Sequence, residues 1–246
     1  MNLTLASHER TWLLALLILW AGLLFGGFLL GSASLDNSHR MPTWTRMGSS
    51  LTLSVAAWSW WLFTRQNEDG GFALFIAIGM TLGFIGDLFM AELLIKGENH
   101  ILAGIAAFGL GHVAYIIGLV RYSNHAELTG SASRWGALLV WLIVGAVLWF
   151  VVVYRGSNEP STLHYAALPY ALLLAGTTGI ATGLALQEKA FIPMAIGAAL
   201  FLFSDLLLAA QLFNGANFPF INDVVWLLYG PGQMLIVFGA RWSLLP

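Results

Sequence analysis

The sequence contains no cysteine. Without thiols the chain can form neither a disulfide framework nor a thiolate metal site, and a cysteine nucleophile is excluded. The Gly-Xaa-Ser-Xaa-Gly elbow of serine hydrolases is also missing. Any chemistry must therefore be carried by other side chains.

Charged residues are scarce as well. They make up 9% of the 246 residues, against about 25% in an ordinary soluble domain, while 59% of the residues are hydrophobic. The net charge of −2 and the scattered cations give no indication of a nucleic-acid partner. No loop is long enough to hold a soluble domain. The composition therefore predicts one polytopic membrane domain over residues 1–246, with membrane lipids as its surroundings.

Eight stretches have the roughly 20 apolar residues that a membrane-crossing helix needs. They are residues 12–30, 47–63, 72–94, 101–121, 135–154, 165–186, 191–213 and 224–240. The first run is longer than the roughly 7 to 15 apolar residues of a signal peptide, so we expect it to be retained. The pattern predicts an all-α integral membrane protein, a bundle of about eight transmembrane helices.

An even number of spans places both termini on the same side of the membrane. On that side lie six cations, Arg10, Arg65, Arg121, Arg134, Lys189 and Arg241. The opposite side carries four, Arg40, Arg46, Lys96 and Arg155. Because cytoplasmic loops are enriched in Lys and Arg, this distribution favours a multi-pass protein with both termini in the cytoplasm.

Two aspartates interrupt the apolar spans, Asp87 in the third and Asp205 in the seventh. A charged side chain near the bilayer centre costs about 2.5 to 3.5 kcal/mol on insertion scales, so such residues commonly mark a functional site. A carboxylate that only bonds across helices to hold the bundle together is the alternative for either residue. Two aspartates at matched depth favour function.

The surroundings of the two aspartates are similar. Each lies about 15 residues into its span, and the following spans carry Gly111-His112 and Gly232-Gln233 at corresponding places. This spacing indicates a four-plus-four internal repeat whose halves run in the same direction. Both carboxylates, His112 and Gln233 would then converge in one slab that opens towards the non-cytoplasmic side.

The histidine deep in the fourth span is His112, with Tyr115 three residues later on the same helix face. Its imidazole fits either a proton shuttle or orienting partner for a carboxylate, or a neutral ring bonded to a helix carbonyl. Neither HxxxH nor HxxE spacing accompanies it. The sequence therefore predicts no metal site and no cofactor.

Further polar residues flank Pro231 in the eighth span and Asp205 in the seventh. Tyr229 and Gln233 share a helix face, and the backbone break caused by Pro231 favours either a cavity beside them or a packing kink. Ser204 precedes Asp205, where it can orient the carboxylate or bond its own backbone.

The end of the third span carries a charged pair. Glu92 and Lys96 are four residues apart, the spacing at which oppositely charged side chains meet on a helix surface. We expect an ion pair at the membrane interface.

Two carboxylates that share a cavity of low dielectric do not both ionise readily. One can then donate a proton while the other activates water, as general acid–base hydrolysis requires. A proton-coupled transporter, or a lipid-binding protein, is the alternative, since carboxylates and histidine at mid-depth also serve transport. The GxGD signature of intramembrane aspartyl proteases is missing.

Motifs in four spans resemble those of a known family. They are LGFIGD ending at Asp87, AGIAAF followed by GHVAY at 111–115, IGAALF followed by Ser204-Asp205, and Tyr229 with Gln233. In this order they are similar to the YhhN family, which includes lysoplasmalogenases of eukaryotes. The resemblance implies a membrane hydrolase that cleaves the vinyl ether bond of lysoplasmalogens to a fatty aldehyde and a glycerophospho-ethanolamine or -choline.

The resemblance also implies roles for individual residues. Asp87 and Asp205 are the expected acidic pair, one as acid and one as base. Water or the ether oxygen would be positioned by the neighbouring polar residues, His112, Tyr115, Ser204, Tyr229 and Gln233. The expected partner is a lysophospholipid taken from the bilayer.

Overall fold

A computed structural model describes residues 5–67, 70–97, 99–155 and 161–239 of the chain. Its regular elements are helical, which confirms the predicted all-α bundle. The helices are α1 (Ser7–Leu30), α2 (Thr43–Thr64), α3 (Gly70–Met90), α4 (Asn99–His125), α5 (Ser131–Leu148), α6 (Thr162–Ala185), α7 (Ile192–Asn214) and α8 (Ile221–Phe238). The last residues of α5 continue as a π-helical segment, Trp149–Tyr154, and a 3₁₀ turn, Lys189–Phe191, leads into α7.

Within the described residues, seven helices are long and apolar enough to cross a membrane, as expected of a multi-pass membrane protein. The remaining long helix, α2, has the length of a span but carries many serines, threonines and tryptophans. It packs between α1, α3 and α8 and buries hydroxyl side chains such as Ser49, Ser50 and Ser54. Most of these hydroxyls donate to carbonyls of α2 itself, whereas Ser50 and Ser54 also bond to α3.

Most helix ends lie a few residues from the predicted span ends, and two of these differences concern charged residues. The second helix begins at Thr43 rather than Met47, and α3 ends at Met90 rather than Leu94. Glu92 therefore lies beyond the helix, with a left-handed φ of 56°. Its carboxylate lies 3.9 Å from the imidazole of His100, so the predicted ion pair with Lys96 is wrong. Ala240, where the eighth span was predicted to end, and Arg241 lie outside the described residues.

The pair α3 and α4 packs in the same register as the pair α7 and α8. A Cβ atom on Gly111 would lie 3.0 Å from the Gly79 carbonyl oxygen, and one on Gly232 would lie 2.9 Å from the Gly197 carbonyl oxygen. Gly79 and Gly197 each precede their aspartate by eight positions, and Gly111 and Gly232 each precede His112 or Gln233 directly. These matched contacts support the four-plus-four repeat.

The connection between α1 and α2 is held against the start of α8. The buried carboxylate of Asp223 accepts hydrogen bonds from the backbone N–H groups of Arg40 and Met41, the second at 3.0 Å. The N–H of Phe220 donates to the carbonyl of Asn37 at 2.8 Å. This clamp places the first turns of α2 and α8 side by side.

Candidate active site

Asp87 is a buried carboxylate, one turn before the end of α3. Its Oδ2 atom accepts hydrogen bonds from the hydroxyls of Ser50 on α2 and, at 3.0 Å, of Tyr229 on α8. Its Oδ1 atom accepts no hydrogen bond from the described residues. One oxygen is therefore fixed by two donors while the other is available to a further group.

A chain of hydrogen bonds leads from Asp87 into the bundle. The Gln233 amide donates to the Tyr229 hydroxyl at 3.2 Å and accepts from the Tyr115 hydroxyl at 3.0 Å. Tyr229 and Gln233 lie one turn apart on α8, which continues through Pro231. Hydrogen bonds thus connect three of the predicted residues to Asp87. Tyr229 contacts it directly, and Gln233 and Tyr115 are connected to it through Tyr229.

Asp205 lies on α7 and is half-buried. The Tyr170 hydroxyl on α6 donates to its Oδ2, and the Ser204 hydroxyl lies 3.2 Å from its Oδ1. Ser204 also donates to the Phe201 carbonyl at 2.7 Å. Because a hydroxyl carries one proton and the backbone contact is shorter, Ser204 bonds chiefly to its own helix. Tyr170 is the main donor to Asp205.

His112 is buried away from both carboxylates and forms no hydrogen bond to either. The Thr177 hydroxyl donates to the Leu173 carbonyl at 3.0 Å, so it accepts from Nδ1–H of His112, 2.9 Å away. The imidazole Nε2 is buried without a hydrogen-bond partner among the described residues. The ring packs edge-on against Phe201 at 4.6 Å between centroids. The geometry therefore gives His112 no direct hydrogen-bonding role at either aspartate.

Both aspartates line one polar pocket of about 250 Å³. This volume is ample for several waters. The pocket is formed by the start of α2, the end of α3, and parts of α4, α7 and α8. The remaining lining residues are Thr43, Arg46, Met47, Met90, Ala91, Phe108, Leu208, Asn222, Val225, Trp226 and Tyr229. It lies towards the face of the bundle at which α1 ends and α2 begins.

An apolar groove adjoins the polar pocket. It runs between α4, α5, α6 and α7, and its walls are mainly aliphatic and aromatic, including Ile105, Leu148 and Leu202. The two spaces share four lining residues, Met90, Phe108, Asp205 and Leu208. Asp205 therefore stands where polar and apolar spaces meet, whereas Asp87 faces the polar pocket alone.

The sequence profile of the YhhN family matches residues 41–240, most of the chain. The chain belongs to the YhhN family. The match begins just before α2, so this YhhN chain has its two aspartates, their hydroxyl donors and both pockets within the matched region. No match was found among curated proteins or solved structures.

Three residues of the YhhN site were not identified in the sequence analysis. Ser50 and Tyr170 donate to the aspartates, and each lies on the helix directly before that of its aspartate. Ser50 lies 37 positions before Asp87, and Tyr170 lies 35 positions before Asp205. A comparison of the two predicted halves could therefore have identified both hydroxyls. The hydropathy pattern places Arg46 in a loop, whereas it lies on α2 and lines the pocket.

Proposed function

We propose that this YhhN protein is a membrane-embedded hydrolase that cleaves the vinyl ether bond of a lysoplasmalogen or a related ether lysolipid. The products are a fatty aldehyde and a glycerophospho-ethanolamine or -choline. The proposal is supported above all by two carboxylates that line one polar pocket, with Asp205 at its junction with an apolar groove. The apolar walls of the groove can contact the first methylenes of a hydrocarbon chain, and the polar pocket suits water and the glycerol end of the lipid.

The position of Asp205 suits the general acid. With the hydrocarbon chain in the groove, the β-carbon of the vinyl ether lies beside this residue. Protonated Asp205 transfers its proton to the β-carbon, and the electron pair of the double bond forms the new C–H bond. The resulting oxocarbenium ion is stabilised by the nearby Asp87 carboxylate, because a preorganised opposite charge favours a developing cation in a site of low dielectric.

The position of Asp87 suits the general base. Ser50 and Tyr229 hold one oxygen of the carboxylate, and the other oxygen faces the pocket, where it can accept a proton from water. Water adds to the oxocarbenium carbon as Asp87 takes its proton, which gives a hemiacetal. Collapse of the hemiacetal returns a proton to Asp205 and moves the proton on Asp87 to the departing glycerol oxygen. One water is consumed, and both carboxyl groups regain their starting states.

The test is aldehyde release from 1-alkenyl-glycerophosphoethanolamine by the purified protein in detergent. Asp87→Asn and Asp205→Asn should each lower kcat by about 10² or more, because general acid–base groups typically contribute 10²- to 10⁴-fold. Glu92→Gln is the matched control. Glu92 is an exposed carboxylate just past the end of α3, outside the pocket, and its loss should leave the rate unchanged.

Each variant is checked for an unchanged melting temperature, and a chelator control is run with the wild-type protein. Aldehyde release by both Asn variants at the wild-type rate would contradict the acid–base roles. Failure of well-folded wild-type protein to release aldehyde would contradict the hydrolase itself. Reconstitution into proteoliposomes would then test whether the aspartates serve proton-coupled transport.

A further inference from the structure

Arg46 is a half-buried cation with no carboxylate oxygen within 4 Å among the described residues. The one ion pair within 4 Å among the described residues joins Glu92 to His100, at the edge of the bundle. The Arg46 guanidinium donates to the Thr43 hydroxyl at 3.2 Å, and its Nε is buried with no acceptor in the described part of the chain. The carboxylates of Asp223 and Asp87 attract the guanidinium but form no ion pair with it within 4 Å, so its N–H groups in the pocket remain able to bind an anion.

The position of Arg46 relative to the aspartates is set by α2. Arg46 precedes Ser50 by one helical turn, about 6 Å along the axis, and Ser50 donates to Asp87. The guanidinium lies over the ring of Trp226 at 5.8 Å, on the α8 side of the pocket. Arg46 therefore stands between the carboxylates and the face of the bundle at which α1 ends.

Other hydrogen-bond donors surround the guanidinium. Thr43 is the first residue of α2, and a helix N-terminus favours negative charge, although the N–H groups of Thr45 and Arg46 already donate to the Pro42 carbonyl. Across the pocket, Asn222 uses its side-chain oxygen to accept from Gln211 at 3.0 Å, which leaves its amide nitrogen as a donor. The nearby Asp223 carboxylate is bonded to two backbone N–H groups instead.

We propose that Arg46, with Thr43 and Asn222, binds the phosphodiester of the substrate headgroup. This inference rests on the proposed hydrolase function and names the residues that recognise the phosphate of its lysophospholipid substrate. The hydrocarbon chain occupies the groove, the ether bond lies at the aspartates, and the glycerol spans one turn of α2 to the phosphate. Guanidinium is suited to this contact because its planar donors match two phosphate oxygens.

Two substrates test the assignment, 1-alkenyl-glycerophosphocholine and 1-alkenyl-glycerol, which lacks the phosphocholine group. Arg46→Gln should raise KM for the phospholipid by at least about tenfold, the effect of losing a charge-assisted hydrogen bond. Its kcat should change by no more than about twofold, as expected for a contact made equally in ground and transition states. The values for alkenylglycerol should not change. Arg46→Lys should restore part of the affinity.

Lys96→Gln is the matched control, because it removes one positive charge from an exposed loop on the same face, outside the pocket. It should leave both substrates unaffected. The inference is overturned when Arg46→Gln lowers kcat equally for both substrates and moves the pH profile, since Arg46 would then act through the carboxylates.

A binding measurement distinguishes failure of the proposed phosphate site from failure of the proposed hydrolase activity. The 1-alkyl analogues of the two lipids carry no vinyl group, and their affinities for the protein in detergent are measured by calorimetry. Tighter binding of the phospholipid analogue by wild type, lost in Arg46→Gln, supports the phosphate site even in a protein that releases no aldehyde. Equal affinities in wild type and Arg46→Gln would refute it.

Discussion

At the scale of single residues, each aspartate is held by a hydroxyl from the preceding helix of its own half. Ser50 on α2 serves Asp87, and Tyr170 on α6 serves Asp205. Asp87 alone has a second donor from the other half, the Tyr229 hydroxyl. Related positions therefore carry different side chains, which gives the two carboxylates different surroundings and allows them different chemical roles.

Ser50→Ala tests whether this donor matters for turnover. Removing a hydrogen bond to a charged group is worth about 1.5 to 3 kcal/mol, so we expect kcat for aldehyde release to fall about tenfold or more. Ser54→Ala is the control, because the Ser54 hydroxyl bonds the backbone carbonyls of Ser50 and Met80 rather than Asp87. An equal fall in kcat for both variants would show that packing of α2, not the bond to Asp87, determines the rate.

The aspartates could be predicted from the sequence, whereas their partners could not. A carboxylate stands out in an apolar span, but a serine does not, because helical hydroxyls commonly bond their own backbone. Ser59 and Thr64 on the same helix do so. Arg46 was missed because hydropathy started the second span at Met47, after the charge, whereas the helix begins at Thr43.

At the scale of helices, the positions of all eight were predicted because each contains a long apolar or weakly polar run. Hydropathy indicates where a helix can cross a membrane, but it does not indicate which faces meet protein. For this reason the polar inner face of α2 was not predicted. Nor was the π-helical segment Trp149–Tyr154, since a shift in backbone hydrogen bonding leaves no mark in composition.

The glycine contacts between paired helices can be tested by adding one methyl group. Gly111→Ala and Gly232→Ala place a Cβ atom 3.0 and 2.9 Å from a facing carbonyl oxygen. We expect each to destabilise the protein by about 1 to 3 kcal/mol, the usual penalty of overpacking, seen as a lower melting temperature in detergent.

Gly26→Ala on α1 is the control for these variants. A Cβ atom there has no neighbour within 4 Å, and alanine favours a helix over glycine by about 1 kcal/mol. The melting temperature should stay the same or rise. A fall as large as that of Gly232→Ala would mean that the close contact between α7 and α8 is not the cause of the lost stability.

At the scale of the whole molecule, the repeat explains why two distant aspartates line one pocket. Because both halves run in the same direction, α3 and α7 carry their carboxylates towards the same face of the bundle. The Asp223 clamp then holds the connection between α1 and α2 against α8 on that face. The polar pocket lies beside this connection, on the side opposite to the start of α1 and the end of α8.

The side of the membrane from which this pocket is reached can be tested with single cysteines, because the chain has none of its own. Lys96 is exposed in the connection between α3 and α4, on the pocket face, and Ala126 is exposed after α4, on the opposite face. If the excess of cations fixes the termini in the cytoplasm, a membrane-impermeant maleimide labels Lys96→Cys in intact cells. Ala126→Cys is labelled only after the cells are permeabilised.

The cysteine-free parent sets the background for both measurements. The reverse pattern would place the pocket on the cytoplasmic side and would show that the distribution of cations does not set the orientation. In that case a lysolipid would reach Asp87 and Asp205 from the cytoplasmic leaflet. With the expected pattern it enters from the opposite leaflet, since headgroup and pocket must lie on the same side when the chain occupies the groove.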